Sequence, residues 1–195
     1  MTAPSRIVLA SSSIYRKALI ARLGLDCRTA APDIDERALP AEAPAATALR
    51  LAEAKARRIA DHEPAALIIG SDQVAVLDNQ PIGKPGTHAA AALQLQAMSG
   101  KTVVFHTALC LLNSATHALQ LADVPTTVRF RKLNAGQIER YLQQDQPYDC
   151  AGSAKIEALG ITLVEQVESD DPTALIGLPL IALVTMLQKE GIRIP

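Results

Sequence analysis

Residues 7–23, Ile-Val-Leu-Ala-Ser-Ser-Ser-Ile-Tyr-Arg-Lys-Ala-Leu-Ile-Ala-Arg-Leu, predict an apolar strand that leads directly into a helix. A helix start presents free backbone N–H groups and the positive end of the helix dipole. Arg16 and Lys17 nevertheless place two cations in the first turn, where the dipole favours anions. A phosphate bound beside the serines would remove this conflict. The alternative is that Ser13 is an ordinary N-cap and that both cations are solvated.

Strand-like and helix-like segments alternate along the chain. The predicted strands cover residues 6–10, 66–77, 101–113, 118–131 and 161–167, and residues 78–81 predict a turn. The predicted helices cover residues 14–23, 44–61, 87–98, 135–144 and 179–190. This alternation, with two long β segments in the middle, predicts an α/β fold with a mixed sheet. A length of 195 residues suits one large domain or two tightly joined lobes.

Composition excludes several classes of function. The net charge of -1 gives no electrostatic footprint for DNA or RNA. No apolar run is long enough to span a bilayer, and residues 1–6 lack the layout of a signal peptide. Cys27, Cys110 and Cys150 are odd in number and far apart, which argues against a disulfide framework or a zinc site. These features predict a cytoplasmic protein with no membrane partner.

Carboxylates stand out at two places. Asp72 lies inside the most apolar strand, where an ionised carboxylate is costly unless it is paired or binds a metal. Asp33, Asp35 and Glu36 form an acidic cluster after Pro32. That cluster is either a solvated loop or a source of the hard oxygen ligands that Mg²⁺ prefers.

Two lysines accompany these acids. Lys55 falls on the apolar stripe of the helix 44–61, either as a snorkelling side chain or as a cation that points into a cleft. Lys84 lies between Gly83 and Pro85, in a tight backbone that either exposes it to solvent or holds it toward a ligand. Together with Arg16 and the acids, these cations suit a polyphosphate with a divalent metal. No P-loop, dinucleotide-binding glycine motif or Gly-x-Ser-x-Gly motif occurs in the sequence.

Eight short stretches, in this order and spacing, resemble the Maf family of nucleoside triphosphate pyrophosphatases. They are Leu9–Lys17, Pro32–Glu36, Ala52–Ala56, Ile69–Gln73, Gly83–Pro85, Met98–Gly100, Cys150–Ser153 and Gly177–Pro179. The resemblance covers nearly the whole chain and implies a single Maf-like domain over residues 1–195. It also implies a fold like that of inosine triphosphate pyrophosphatases, in which a twisted mixed sheet with flanking helices divides two lobes around a deep cleft.

The resemblance implies cleavage of a nucleoside triphosphate between its α and β phosphates. It further implies a divalent cation, Mg²⁺ or Mn²⁺, frequent homodimers and a cytoplasmic location. An older label for the family is septum-formation inhibitor. A nucleotide-binding division regulator without turnover and a metal-dependent phosphatase that releases phosphate are therefore the rival functions.

The residues and the resemblance together predict the roles of six side chains. Asp72 is the predicted catalytic base or the ligand that positions the attacking water. Glu36 is predicted to hold the divalent ion, together with Asp72. The predicted triphosphate-binding residues are Ser11, Arg16, Lys55 and Lys84.

Three further residues are predicted to select the nucleobase of the substrate. Gln73 together with Glu157 resembles the 7-methyl-GTP pyrophosphatase branch of the family, and the dTTP/UTP branch is the alternative. Tyr15 would contact the cationic 7-methylguanine ring by a cation–π interaction. The chain departs from the family at Ile14, where proline is usual, and at Lys17, where a second arginine is common. Tyr15 also stands where this branch often has tryptophan.

Overall fold

The computed structural model describes residues 6–195, so residues 1–5, most of the segment considered for a signal peptide, lie outside the described residues. The strands of this part are β1 Arg6–Ala10, β2 Cys27–Ala30, β3 Ala66–Leu77, β4 Gln80–Ile82, β5 Thr102–Asn113, β6 Leu119–Phe130 and β7 Val164–Ser169. The helices are α1 Ile14–Ala21, α2 Pro44–Ala60, α3 His88–Met98, α4 Ala135–Asp145 and α5 Leu180–Lys189. Single turns of 3₁₀ helix cover Ala151–Ser153, Leu159–Leu163 and Ala174–Ile176.

The strands form one seven-stranded sheet in the order β2-β1-β3-β5-β6-β7, with β4 paired to β3. β1 runs parallel to both β2 and β3, and its last residue, Ala10, is aligned with Ala30 and Gly70. The β3–β4 and β6–β7 pairs are antiparallel. The predicted α/β fold with a mixed sheet is therefore confirmed.

The chain divides into two compact units. The first unit comprises Met1–Asp72, Thr107–Val124 and Asp171–Pro195, and the second comprises Gln73–His106 and Pro125–Asp170. The core of the first unit is built from aliphatic residues of β1, α1, β3, β5 and α5, such as Leu9, Leu19, Ile69, Leu109 and Leu183. In the second unit the fully buried side chains include Leu95, Met98, Phe130 and Leu142.

Local chemistry explains where α1 and α4 begin. The Oγ of Ser13 accepts a hydrogen bond from the Arg16 backbone N–H, which makes Ser13 the N-cap of α1. At α4, Asn134 and Gln137 form a reciprocal capping box. The N-cap interpretation of Ser13 is therefore correct, and the Ser11 Oγ in turn accepts a hydrogen bond of 3.1 Å from the Ser13 N–H.

Four details of the predicted elements are wrong. α1 ends at Ala21, two residues early, and residues 161–163 belong to a 3₁₀ turn rather than a strand. The predicted turn 78–81 is shorter, because Asp78 and Asn79 take φ values of 50° and 62° and turn β3 directly into β4. β2 was not predicted, because it has only four residues, Cys-Arg-Thr-Ala, and none of them is fully buried. Within residues 6–195 no helix is both long and apolar enough to cross a membrane.

Candidate active site

Ser11, Glu36 and Asp72 lie just beyond the segments in which the three parallel strands β1, β2 and β3 are aligned. Ser11 directly follows β1, and Asp72 lies two residues beyond Gly70, which is aligned with Ala10. The loop that follows β2 carries Glu36. Ligands of parallel α/β sheets bind outside the carboxyl ends of the strands. The register of β2, β1 and β3 therefore directs these residues to one edge of the sheet.

Lys55 joins the two predicted metal-binding carboxylates. Its Nζ lies 2.6 Å from Oδ1 of Asp72 and 2.7 Å from Oε1 of Glu36. The side chains of Lys55 and Asp72 are only 5% and 10% exposed, whereas that of Glu36 is 53% exposed. Lys55 is therefore not a snorkelling side chain. An ammonium carries three donors, so one remains for a phosphate oxygen.

Gly70 explains why Lys55 reaches Asp72. A Cβ at Gly70 would lie 2.0 Å from the carbonyl oxygen of Ala52 and 3.1 Å from the Cβ of Ala56. Only glycine therefore allows α2 to approach β3 this closely. Lys55 lies between these two alanines on the buried face of α2 and points toward the strand that carries Asp72.

Arg16 contributes a second cation to this group. Its Nε donates a hydrogen bond of 2.7 Å to the carbonyl oxygen of Gly177. Although part of the residue is exposed, its guanidinium is desolvated, which lowers the pKa of Arg16, while the nearby charges of Asp72 and Glu36 act in the opposite direction. Arginine keeps its charge in proteins. Two cations, Arg16 and Lys55, thus face two carboxylates.

The loop that bears Glu36 is fastened to α2 by Glu42. The carboxylate of Glu42 accepts hydrogen bonds from Arg50 Nε and Nη2 at 2.6 and 2.7 Å and from Thr47 Oγ1 at 2.9 Å. The hydrogen bonds from Arg50 are the main reason that the pKa of Glu42 falls to about 2. Arg50 also donates to the Arg37 carbonyl, next to Glu36. Sequence reasoning missed this ion pair, because Glu42 lies just before α2 and Arg50 lies eight residues further on within the helix.

In the second unit, Lys84 is exposed on the loop between β4 and α3. Gln94 of α3 donates to the Gly83 carbonyl at 3.1 Å, and the Gly86 N–H donates to the Tyr148 carbonyl at 3.0 Å. Gln94 also accepts a hydrogen bond of 2.6 Å from the hydroxyl of Ser153. One side chain thus connects the Lys84 loop to the 151–153 turn.

The structure also locates the three predicted specificity residues. Tyr15 is half-buried on α1, in the first unit. Gln73 is half-buried on β3 and Glu157 is exposed, both in the second unit. The segment before Glu157 is fixed, because the Lys155 N–H donates to the Tyr141 hydroxyl at 3.0 Å and Lys155 Nζ to the Asp145 carbonyl at 2.8 Å. The roles of all the site residues stay predictions.

Residues 6–190 match the sequence model of the family described as Maf-like protein. The chain belongs to the Maf family. This confirms the family that the eight sequence stretches predicted.

Three relatives of this Maf chain carry the name 7-methyl-GTP pyrophosphatase. The protein of Cupriavidus metallidurans is 58% identical over 185 residues, covering 95% of this chain and 93% of the relative. The protein of Aromatoleum aromaticum is 55% identical over 191 residues, with 98% of each chain covered. The protein of Thiobacillus denitrificans is 56% identical over 193 residues, covering 99% of this chain and 96% of the relative.

Two carboxylates of this Maf chain suit a magnesium ion that takes its other ligands from a substrate. In the described part of the chain, no three His, Cys, Asp or Glu side chains are grouped to hold a metal. Glu36 and Asp72, however, both contact one ammonium and so lie close enough together to share a cation. Mg²⁺ is usually bound by one or two carboxylates together with substrate phosphates. A two-carboxylate site is therefore sufficient for a nucleotide enzyme.

Proposed function

We propose that this Maf protein hydrolyses 7-methyl-GTP between the α and β phosphates and releases 7-methyl-GMP and pyrophosphate. The observation that carries the proposal is the group in which Lys55 joins Asp72 to Glu36. Relatives that cover nearly the whole chain at 55–58% identity are named 7-methyl-GTP pyrophosphatase, which supports the substrate. A buried carboxylate in this setting is expected of an enzyme, since a protein that only binds nucleotide does not need one.

Asp72 is the proposed general base. Its Oδ1 is bound by Lys55, while Oδ2 makes no hydrogen bond to any residue that the structure describes. The hydrogen bond from Lys55 fixes the orientation of the carboxylate, and Oδ2 is available to orient or deprotonate a water. Asp72 is 7% exposed, so that water would be held in a nearly dry environment.

Glu36 and Asp72 are the proposed ligands of Mg²⁺ or Mn²⁺. When bound, the ion would neutralise phosphate charge during cleavage. Removal of divalent ions with a chelator should abolish turnover, and added Mg²⁺ or Mn²⁺ should restore it. Turnover that persists in excess chelator would overturn the metal proposal but would not contradict the proposed nucleotide substrate.

Ser11, Arg16, Lys55 and Lys84 are the proposed triphosphate-binding residues. Arg16 can engage two phosphate oxygens at once, and Lys55 has one donor left after its two carboxylates. Because these residues would contact phosphates rather than the base, alanine at any of the three cations should lower activity on every nucleotide without changing preference. A changed base preference in such a variant would contradict this role.

Tyr15, Gln73 and Glu157 are the proposed determinants of base choice. Methylation at N7 makes the guanine ring cationic, which favours the face of Tyr15 and the negative charge of Glu157. Glu157→Gln should therefore reduce kcat/KM for 7-methyl-GTP more than for UTP. Glu165→Gln, which changes another exposed acid of the second unit, should leave the ratio unchanged.

A nucleotide screen with Mg²⁺ that measures pyrophosphate and phosphate separately tests the proposed function. Pyrophosphate release from 7-methyl-GTP supports it, and phosphate release would favour a phosphatase. Tight nucleotide binding without product would favour a division regulator. We also propose a homodimer, which light scattering would test, and a cytoplasmic location, which the scattered cysteines support.

A further inference from the structure

The carbonyl of Gly177 contacts side chains from two elements of the candidate site. It accepts the hydrogen bond from Arg16 Nε at 2.7 Å and lies 2.9 Å from the Oγ of Ser71. Ser71 is fully buried, lies next to Asp72 on β3, and is also 2.8 Å from the Ala108 carbonyl. Its single proton bonds one of these two carbonyls at a time. Gly177 thus connects Arg16 to the strand that carries Asp72.

The loop that presents this carbonyl is held rigidly by Asp171 and Thr173. Asp171 is 2% exposed and accepts hydrogen bonds from the Thr173 hydroxyl at 2.6 Å and the Ile181 N–H at 2.7 Å. The Thr173 hydroxyl is also 2.9 Å from the Leu178 carbonyl and accepts from the Leu180 N–H at 2.8 Å. These contacts close the loop on both sides of Gly177 and anchor it to the start of α5.

Gly177 has a backbone conformation that other residues rarely adopt. Its φ is 114°, and a Cβ at this position would lie 3.4 Å from Arg16 Nε. The distance to Nε is an ordinary contact, but the positive φ means that alanine here would strain the backbone that presents the carbonyl to Arg16. Gly191, at the end of α5, also has a positive φ, 82°, but a Cβ there would meet nothing within 4 Å. Gly191 is thus a matched control for backbone strain.

The hydrogen bond to Gly177 determines which nitrogens of Arg16 remain for a ligand. Because Nε is bound to the Gly177 carbonyl, the two terminal nitrogens are the donors of Arg16 that remain for a ligand. Such a pair matches two oxygens of a phosphate. Fixing the side chain in advance removes rotamer entropy that binding would otherwise have to lose.

We propose that Gly177 is a positioning residue, whose carbonyl holds the guanidinium of Arg16 in the orientation that binds the triphosphate, and that Ser71 supports this carbonyl. This rests on the proposed function, because the triphosphate is taken from it. Gly177 makes no contact with the substrate in this account and acts only through Arg16. Lysine at position 16 would keep the charge but would lack the Nε donor, so Gly177 would lose its effect.

A double-mutant cycle between positions 16 and 177 tests the proposal. Misplacing a binding group by about 1 Å costs about 100-fold in rate, so Gly177→Ala should lower kcat/KM for 7-methyl-GTP by roughly 10- to 100-fold. In the Arg16→Lys background the same change should cost less than about twofold, since coupled residues are not additive. Two control substitutions, Gly191→Ala and Arg22→Ala, should leave kcat/KM unchanged. Arg22 is an exposed arginine at the C-cap of α1. Equal losses in both backgrounds would overturn the proposal.

Calorimetry with inorganic tripolyphosphate and Mg²⁺ separates this proposal from the proposed function. The same coupling between Gly177 and Arg16 should occur in the affinity for tripolyphosphate, which requires no turnover. If coupling is found there and no nucleotide is hydrolysed, the positioning role holds and the proposed function fails. If Gly177→Ala does not fold, Ser71→Ala replaces it in the cycle. Losses of affinity that simply add, or a wild-type protein that does not bind tripolyphosphate, would overturn the positioning role.

Discussion

The ammonium of Lys55 lies 2.6 Å from Oδ1 of Asp72, and both residues are buried. Removing one member of a buried ion pair is strongly destabilising because the other charge is left uncompensated. The two residues are not equivalent, however, because Lys55 also contacts Glu36 at 2.7 Å. Loss of Asp72 leaves Lys55 with a partner, whereas loss of Lys55 leaves Asp72 without this cation.

Lys55→Met should therefore destabilise the protein more than Asp72→Asn does. We expect a loss of about 3–5 kcal/mol in the free energy of unfolding for Lys55→Met, measured by urea denaturation. Lys17→Met, at an exposed lysine of α1, should stay within about 0.5 kcal/mol of wild type. If Asp72→Asn proves the more destabilising change, the buried pair is not organised around Lys55.

Asp72→Asn should remove most of the activity while the fold is kept. The amide has nearly the same size as the carboxylate but is not basic, and loss of a general base costs about two to four orders of magnitude in rate. Steady-state turnover of 7-methyl-GTP and circular dichroism together measure this. Asp61→Asn, at an exposed acid that ends α2, is the control and should be fully active. Near-normal turnover of a folded Asp72→Asn protein would exclude Asp72 as the base.

The sequence predicted the elements whose pattern is strong and missed those decided by distant partners. The apolar runs of β1 and β3 and the long helix α2 were predicted within one residue. The short strand β2 was missed because its four residues show no apolar pattern, and it exists through its pairing with β1. Arg16, Lys55 and Asp72 were singled out because each is a charged residue at an unusual place, namely a helix start, an apolar helix stripe and an apolar strand, and their roles stay predictions. The Gly177 carbonyl was missed because a backbone acceptor 161 residues from Arg16 leaves no signal in the side chains.

Gly70→Ala should separate α2 from β3. The new Cβ would lie 2.0 Å from the Ala52 carbonyl oxygen, which is backbone and cannot give way cheaply. Overpacking of this kind typically costs about 1–3 kcal/mol, and Lys55 would be displaced from Asp72 at the same time. Urea denaturation and turnover should both decline. Gly83→Ala is the control for stability, since a Cβ there would meet nothing within 4 Å. A Gly70→Ala protein with wild-type stability and turnover would contradict the close approach of α2 to β3.

The thiols give a pH-dependent prediction. Burial raises the pKa of Cys110 to about 12 and that of Cys27 to about 11, from an ordinary value of 9.0. Well below pH 9 both the folded and the unfolded chain keep these protons, so the thiols do not change the free energy of unfolding there. Between about pH 9 and pH 11 the unfolded chain loses protons that the folded chain retains, so stability should fall as the pH rises.

Alkylation with iodoacetamide at pH 9 checks the same thiols directly. Because the thiolate is the nucleophile, Cys110 and Cys27 should react much more slowly in the folded protein than in the urea-unfolded chain. Mass spectrometry of the digested protein locates the modified residues. Rapid modification of Cys110 in the folded protein would contradict its burial.

The decisive measurement of the proposed function is the specificity constant, kcat/KM, of the wild-type protein for 7-methyl-GTP, GTP, UTP and dTTP. The measurement is made with Mg²⁺, and both the monophosphate and pyrophosphate are quantified. We expect the highest kcat/KM for 7-methyl-GTP, with one pyrophosphate formed for each 7-methyl-GMP. A higher kcat/KM for UTP or dTTP, or the release of phosphate in place of pyrophosphate, would contradict the proposed function.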